Sequence, residues 1–412
     1  MASDAFAVLR IPFMRTFALG RIASVVGVQI ISTAVGWELY ERTRSAWSLA
    51  LVGVFELVPV LVLVLPAGNA IDRFPRRHIA VLAHLVFALA ASGLVAVSYF
   101  HGPIPFIYAL LMLIGAARAF GSPSVGTLLP QLLPPEQYAQ ANAWLSSSFE
   151  LASIVGPALA GLLLAIRGDA TVAYLAGALG QALFVGMLFS LPLKPAPEQK
   201  TKRTAADMFA GFSFILRNPV FLAAITLDLF AVLLGGAVAL LPMFAKDVLQ
   251  VGPTGLGWLR AAPAAGALMM ALITTRLPPW KRPGAVLMAV VVGFGAATIG
   301  FGLSTRFPLS LFCLFMTGVF DNVSVVIRLT LEQVLTPDAL RGRVSAVHYV
   351  FIGFSNELGA FESGATAALL GPVVSVVGGG IGTVLIVGLV ALIWPALARL
   401  QSLHTLKPLD EE

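Results

Sequence analysis

The sequence predicts an all-α integral membrane protein, with twelve transmembrane helices in two pseudo-symmetric six-helix halves around a central cavity. Three observations predict it. The chain is 58% hydrophobic and only 11% charged, against about 25% charged in soluble domains, too few charges to cover a soluble surface. Twelve apolar stretches of bilayer-spanning length follow one another, and the least apolar segment of the 412 residues separates the sixth from the seventh. Gln131-Leu-Leu-Pro-Pro-Glu136 returns as Gln333-Val-Leu-Thr-Pro-Asp338, each time after the fourth span of its half. Parallel repeats of this kind build transporters whose substrate site lies at the midplane.

Taken in order, the first six spans lie at 13–40, 49–71, 79–100, 104–128, 140–166 and 171–191. Arg10, Arg15 and Arg21 interrupt the start, so no cleavable signal is read and the first span is retained. These spans make an N-terminal half at 1–191. A cytoplasmic linker follows at 192–218, carrying Pro195, Glu198, Lys200, Lys202 and Arg203. Within it, 208–216 has helical apolar spacing and is expected on the membrane surface. The C-terminal half at 219–399 holds spans at 220–243, 255–275, 284–304, 308–331, 345–370 and 373–397, and a cytoplasmic tail occupies 400–412.

Charge sets the orientation. With both termini inside, 17 of the 26 Lys and Arg fall in cytoplasmic segments and 5 in outer loops, so the positive-inside rule places both termini in the cytoplasm. The net charge of +6 is spread over short loops rather than one face, which favours a membrane surface over nucleic acid. The single Cys313 forms no intrachain disulfide.

An ionisable group inside a span costs at least about 2.5–3.5 kcal/mol at the helix centre, so it faces protein or a hydrated cavity. Spans three, six, nine and twelve carry no Asp, Glu, Lys or Arg in their interiors, while the other eight hold Arg21, Glu38, Glu56, Arg118, Glu150, Asp228, Arg260, Asp321, Arg328, Glu357 and Glu362. One helix in three is purely apolar at the same rank, which predicts four outer helices facing lipid and eight lining the cavity. Glu56, Glu150, Asp228, Asp321 and Glu357 fall near the midplane; Arg21 and Arg328 lie toward the inner side, and Arg118 deep in span four. With Arg21, Arg118 and Arg328, these carboxylates are the candidates for a substrate or proton pathway, because a buried acid beside a cation can exchange substrate for a proton. Each of them is also open to a plain structural reading as a fixed interhelical ion pair. Arg118 and Asp228, each alone in the middle of its span, are the strongest candidates. His84, alone on an apolar outer helix, reads as a packing residue rather than a relay.

The loop after span two reads Gly68-Asn-Ala-Ile-Asp72-Arg73-Phe-Pro-Arg76-Arg77. The glycine would permit close helix approach, and Asp72 could accept hydrogen bonds from a neighbouring helix N-terminus and act as a conformational latch. Arg73, Arg76 and Arg77 would hold the loop at the anionic inner leaflet, and a role as topology determinants alone is equally open.

This loop is similar to the signature loop of the major facilitator superfamily, with Pro75 where that family usually has glycine. Arg118, Gly156-Pro157 and Gly161 resemble further landmarks of its exporter branches. Phe320-Asp321 to Arg328, Gln333, Thr336-Pro337-Asp338, Arg341-Gly342-Arg343 and Phe351 to Glu357 resemble the enterobactin-exporter-like subfamily. That resemblance implies export from the bacterial cytoplasm across the inner membrane, driven by protons, and leaves the substrate open; a siderophore or drug-like amphiphile is the one expected. An uptake permease, a lysophospholipid flippase and a non-transporting sensor of the same fold are the alternatives. Embedded arginines favour an anionic substrate and midplane carboxylates a cationic one, so both remain open.

Other chemistries find no residues to carry them. Gly378-Gly-Gly-Ile-Gly382 lacks the Lys-Ser/Thr of a phosphate loop, and Asn322-Val-Ser324 lies inside a span, out of reach of glycosylation. No His or Cys cluster has metal spacing and no catalytic set is legible, so neither a metal, a cofactor nor an enzymatic activity is expected. The expected partners are a small-molecule substrate, protons and the lipid bilayer, the chain acting as a monomer without nucleic acid.

Overall fold

A computed structural model describes residues 7–191, 205–278, 280–337 and 340–401. Among them no strand occurs, and twelve long helices follow the sequence pattern. They are α1 (Pro12–Thr43), α2 (Ala46–Arg73), α3 (Arg76–Tyr99), α4 (Ile104–Gly126), α5 (Tyr138–Arg167) and α6 (Thr171–Ser190), then α7 (Pro219–Leu234), α8 (Gly252–Thr274), α9 (Pro283–Leu303), α10 (Phe307–Leu335), α11 (Arg341–Leu370) and α12 (Pro372–Ile393). Eleven candidate spans are long and apolar enough to cross a bilayer. The twelfth long helix, α11, has the length at 30 residues but is too polar, because it carries Arg341, Arg343, His348, Glu357 and Glu362.

Local chemistry sets the helix ends. Proline opens α1 and α7, where its missing N–H is unneeded, and Asn218 caps α7 by accepting a 3.0 Å hydrogen bond from the Phe221 amide. Gly168, at φ +76°, ends α5, and its N–H bonds back to Leu164. Span seven differs from the uninterrupted helix the sequence suggests. It breaks at Gly235-Gly236, continues as a 3₁₀ turn Ala237–Leu240, and ends in a π turn Phe244–Val248. Two consecutive glycines and Pro242 weaken helical hydrogen bonding there, as in the discontinuous helices of transporters.

The chain forms two compact units: Met1–Arg44, Leu51–Lys202 and Val251–Ala261 in one, and Ser45–Ala50, Arg203–Gln250 and Ala262–Glu412 in the other. The first unit packs α1 on α5 and α6, and α3 on α4 and α6; the second packs α7 on α11 and α12, and α9 on α10 and α12. The pairings correspond rank for rank, which is how the repeat appears in three dimensions. Within the first unit Gly161 of α5 meets Gly257 at the start of α8, where a Cβ would lie 3.0 Å from the Gly257 Cα. Within the second, Gly364 of α11 meets Ala50, where a Cβ on the glycine would lie 2.7 Å from the Ala50 Cα.

Each helix of rank three, six, nine or twelve presents exposed large apolar residues, such as Leu82, Leu85 and Leu89 on α3 and Leu385, Leu389 and Leu392 on α12. Spacings of three and four residues put them on one face, as contact with lipid requires. The linker contains a helix, Ala205–Arg217, over the 208–216 segment with helical spacing. It buries Phe214 and Ile215, while a Cβ on Gly211 would lie 2.8 Å from the Arg343 carbonyl oxygen and Phe212 stacks on Phe351. Residues 192–204 and 402–412, the rest of the linker and most of the tail, lie outside the described residues.

Candidate functional site

In the first unit, Arg118 of α4 reaches Glu56 of α2, Nη1 to Oε2 at 2.5 Å. The contact exists because Gly115, one turn earlier on α4, lets the helices close: a Cβ there would lie 2.5 Å from the Glu56 carbonyl oxygen. The pair is half open, with the Arg118 side chain 40% exposed and Glu56 14%. Arg21 and Glu150, predicted on the same pathway, have no hydrogen bond or ion pair among the described residues and are half-buried. His84 is buried against α6, and its Nε2 has no hydrogen-bond partner among the described residues. Its Nδ1 lies 2.9 Å from Gln181 Oε1, which also accepts from the Ser24 hydroxyl, and its ring stands edge-on to Phe184. Arg260, on the first turns of α8, donates to the Ser32 hydroxyl at 2.6 Å.

The second unit holds the denser cluster. Arg328 of α10 is 4% exposed, with one nitrogen on Asp228 of α7 and another 3.9 Å from Asp321. Its Nε donates to the Ser324 hydroxyl at 3.2 Å. Asp228 is nearly buried, whereas Asp321 is 47% exposed, so one cation stands between a buried and an open carboxylate. Asp228, Asp321 and Ser324 line a shallow, open cleft, with Phe294 and Phe320 as apolar walls. A proton arriving on Asp228 would cancel the charge that holds Arg328 and free the guanidinium for Asp321 or for an anionic ligand. Glu357 is half-buried on α11.

Glu332, His348 and Ser345 belong to this region and escaped the sequence reading. Glu332 accepts from Ser345 and lies 2.5 Å from His348 Nδ1. The apolar pattern ends this span at 331, but α10 continues to Leu335. The available signal was the four-residue spacing from Ser324 to Arg328 to Glu332, which sets all three on one helix face.

The loop motif behaves differently from expectation at its glycine. A Cβ on Gly68 would meet nothing within 4 Å, so no close helix approach occurs there among the described residues. Arg76 donates to the Thr127 carbonyl at the end of α4, and Arg77 to Phe189 and Leu191 at the end of α6. Both cations thus occupy helix C-termini, where unpaired carbonyls and the helix dipole favour positive charge. Arg73 is exposed, and the side chain of Asp72, with the latch assigned to it, lies outside the described residues. No group of three or more metal-ligating side chains occurs among the described residues.

Comparison with known proteins adds three findings. The family model described as Major Facilitator Superfamily matches residues 17–360. The chain is 28% identical over 389 residues to the enterobactin exporter EntS of Escherichia coli O1:K1 / APEC, covering 94% of this chain and 93% of that protein, and equally so to its counterpart in Shigella boydii serotype 18. Among solved structures it is similar to a bacterial homologue of the human lysosomal transporter Spinster, with TM-score 0.72, 14% identity, and 94% of this chain and 97% of that chain covered. It is also similar to a bacterial homologue of the iron transporter ferroportin, with TM-score 0.68, 19% identity, and 95% and 99% covered.

Proposed function

The chain belongs to the major facilitator superfamily, and from that premise we propose that it is a proton-coupled exporter of a siderophore-like or drug-like amphiphile, working by alternating access. That it is a multi-pass membrane transporter of a small molecule, not an enzyme, follows from the family itself. Likeness to enterobactin exporters along almost the whole chain supports the direction and the substrate class. Placement in the bacterial inner membrane, cytoplasmic termini and a monomeric state complete the reading, the termini resting on the excess of Lys and Arg in one set of loops.

The observation that carries proton coupling is the Asp228–Arg328–Asp321 arrangement. With Asp228 ionised, Arg328 is engaged; with Asp228 protonated, the guanidinium is available to a phenolate or carboxylate of the substrate. Binding of the anion and release of the proton then compete for one cation, which is the coupling an antiporter needs.

Purified protein in liposomes under an imposed pH gradient tests this, with enterobactin and tetraphenylphosphonium as probes. Proton movement on adding enterobactin, abolished by Asp228→Asn and weakened about tenfold by Arg118→Ala, is the expected result. Full coupling in Asp228→Asn would remove that residue from the mechanism. A response to the cation alone would favour a multidrug exporter, a reading to which Glu150, a carboxylate without a hydrogen bond or ion pair among the described residues, gives a specific contact.

A further inference from the structure

One face of α10, turned to α7 and α11, carries Asp321, Ser324, Arg328 and Glu332. At about 1.5 Å per residue, the column runs ~16 Å along the helix. Its upper members line the cleft and Arg328 holds Asp228 in the middle. Glu332 closes the other end, where the loop to α11 begins. His348 packs there, 3% exposed, with Nδ1 on Glu332 and Phe221 edge-on to its ring at 6.3 Å. The Glu332–His348 pair therefore stands one helical turn, about 6 Å, along α10 from the Arg328–Asp228 pair. Its Nε2 is buried and has no hydrogen-bond partner among the described residues.

A ring held at one nitrogen by a carboxylate and unengaged at the other is built to pass a proton. With Nδ1–H donated to Glu332, Nε2 keeps a lone pair that can accept; Glu332 stabilises the imidazolium and can take the Nδ1 proton in turn. We propose that His348 and Glu332 form a second titratable site, a relay passing protons between the Asp228–Arg328 pair and the cytoplasmic end of α10. A water molecule bridging the two pairs carries the Asp228 proton to Nε2, Nδ1 gives one to the Glu332 carboxylate, and Glu332 releases it, so charge balances at each transfer. The charged group facing the ring is Glu332 from α10, and Arg328, one turn away on the same helix, holds Asp228 of α7. α12 and the turn Ala237–Leu240 carry no charged residue, and the linker helix meets α11 through Gly211 and Phe212. The relay rests on the proton-coupled reading above.

The test uses full-length protein in liposomes and needs no substrate for its first arm. Nitrogen-15 NMR of the histidines, with the His348 signal assigned by its loss in His348→Gln, follows the ring from about pH 5 to 9. The ring is expected to titrate, with a midpoint that moves by roughly 0.5 pH unit or more in Asp228→Asn. A ring that does not titrate, or that ignores Asp228→Asn, overturns the relay. In the second arm the same vesicles carry a pH gradient and enterobactin. His348→Gln, and Glu332→Gln as a variant that keeps a hydrogen-bond acceptor for Nδ1, are expected to lose about tenfold in gradient-driven transport while keeping counterflow at equal pH. Wild-type coupling in both variants overturns the relay alone. A wild type that moves no protons overturns the coupled reading and the relay with it.

Discussion

Arg328 and Arg118 both pair with a carboxylate, and burial separates what the two pairs are worth. Removing Arg328 strands Asp228 in a site too dry to solvate it, so Arg328→Ala should cost about 3–5 kcal/mol in detergent unfolding, and Asp228→Asn in the same chain should restore much of it. Arg118 is 40% exposed, so Arg118→Ala should cost only about 1 kcal/mol. Equal losses would mean that exposure does not govern these pairs. Asp169, between α5 and α6, offers a pH handle outside the membrane. Its slight burial pushes the carboxyl up, but the Thr171 amide at 2.9 Å and Arg167 at 3.4 Å outweigh this and hold it below the usual value of 3.8. A lowered carboxyl contributes stability above the unfolded-state pKa and loses it as pH falls through the folded one. Below about pH 4 the wild type should therefore lose a small stability increment that Asp169→Asn lacks at every pH, seen as converging melting curves. At this scale, ionisable groups in apolar runs mark themselves. Their partners do not: nothing in the sequence pairs Asp228 with Arg328, a hundred residues apart, and Glu332 was hidden by a four-residue error in a helix end.

The helices themselves were largely legible, because a bilayer span needs some twenty apolar residues and the charged linker divides the halves. Their crossings were not. Gly318 of α10 lies against Pro263 of α8, with no room for a Cβ beside the Pro263 carbonyl, while Gly68 of α2 faces open space. Gly318→Ala should therefore destabilise by about 1–3 kcal/mol, and Gly68→Ala should be neutral or stabilising by up to about 1 kcal/mol. Thermal midpoints of the two variants in one detergent decide it. A costly Gly68→Ala would restore the close approach that the sequence suggested. The break in span seven and the polarity of α11 are likewise element-scale facts: two adjacent glycines after Leu234 explain the first, and five charged or titratable residues on a 30-residue helix explain the second.

Orientation belongs to the whole molecule, because it follows from the summed charge of all loops. In a Cys313→Ser background, Thr305→Cys in the α9–α10 loop should react with a membrane-impermeant maleimide on intact cells, and Leu277→Cys in the α8–α9 loop only after permeabilisation. The reverse pattern would invert the topology and move the His348–Glu332 end of α10 to the outside. The rank-for-rank pairing of helices in the two units gives the short sequence repeat its meaning: both halves solve one packing problem with different side chains.

Composition, span count, the rank of the uncharged helices and the loop charges were determined by the sequence alone, because each is a local response of the chain to a slab of hydrocarbon with water on either side. Which charge meets which, and how deeply each pair is buried, was decided only by tertiary structure. A helix turns 100° per residue, so a small rotation carries a side chain from a neighbouring helix to a cleft, and apolar runs that look alike in sequence do not fix that rotation. Glycine contacts such as Gly115 on Glu56 and Gly318 on Pro263 do fix it, and they exist only once two distant segments have met.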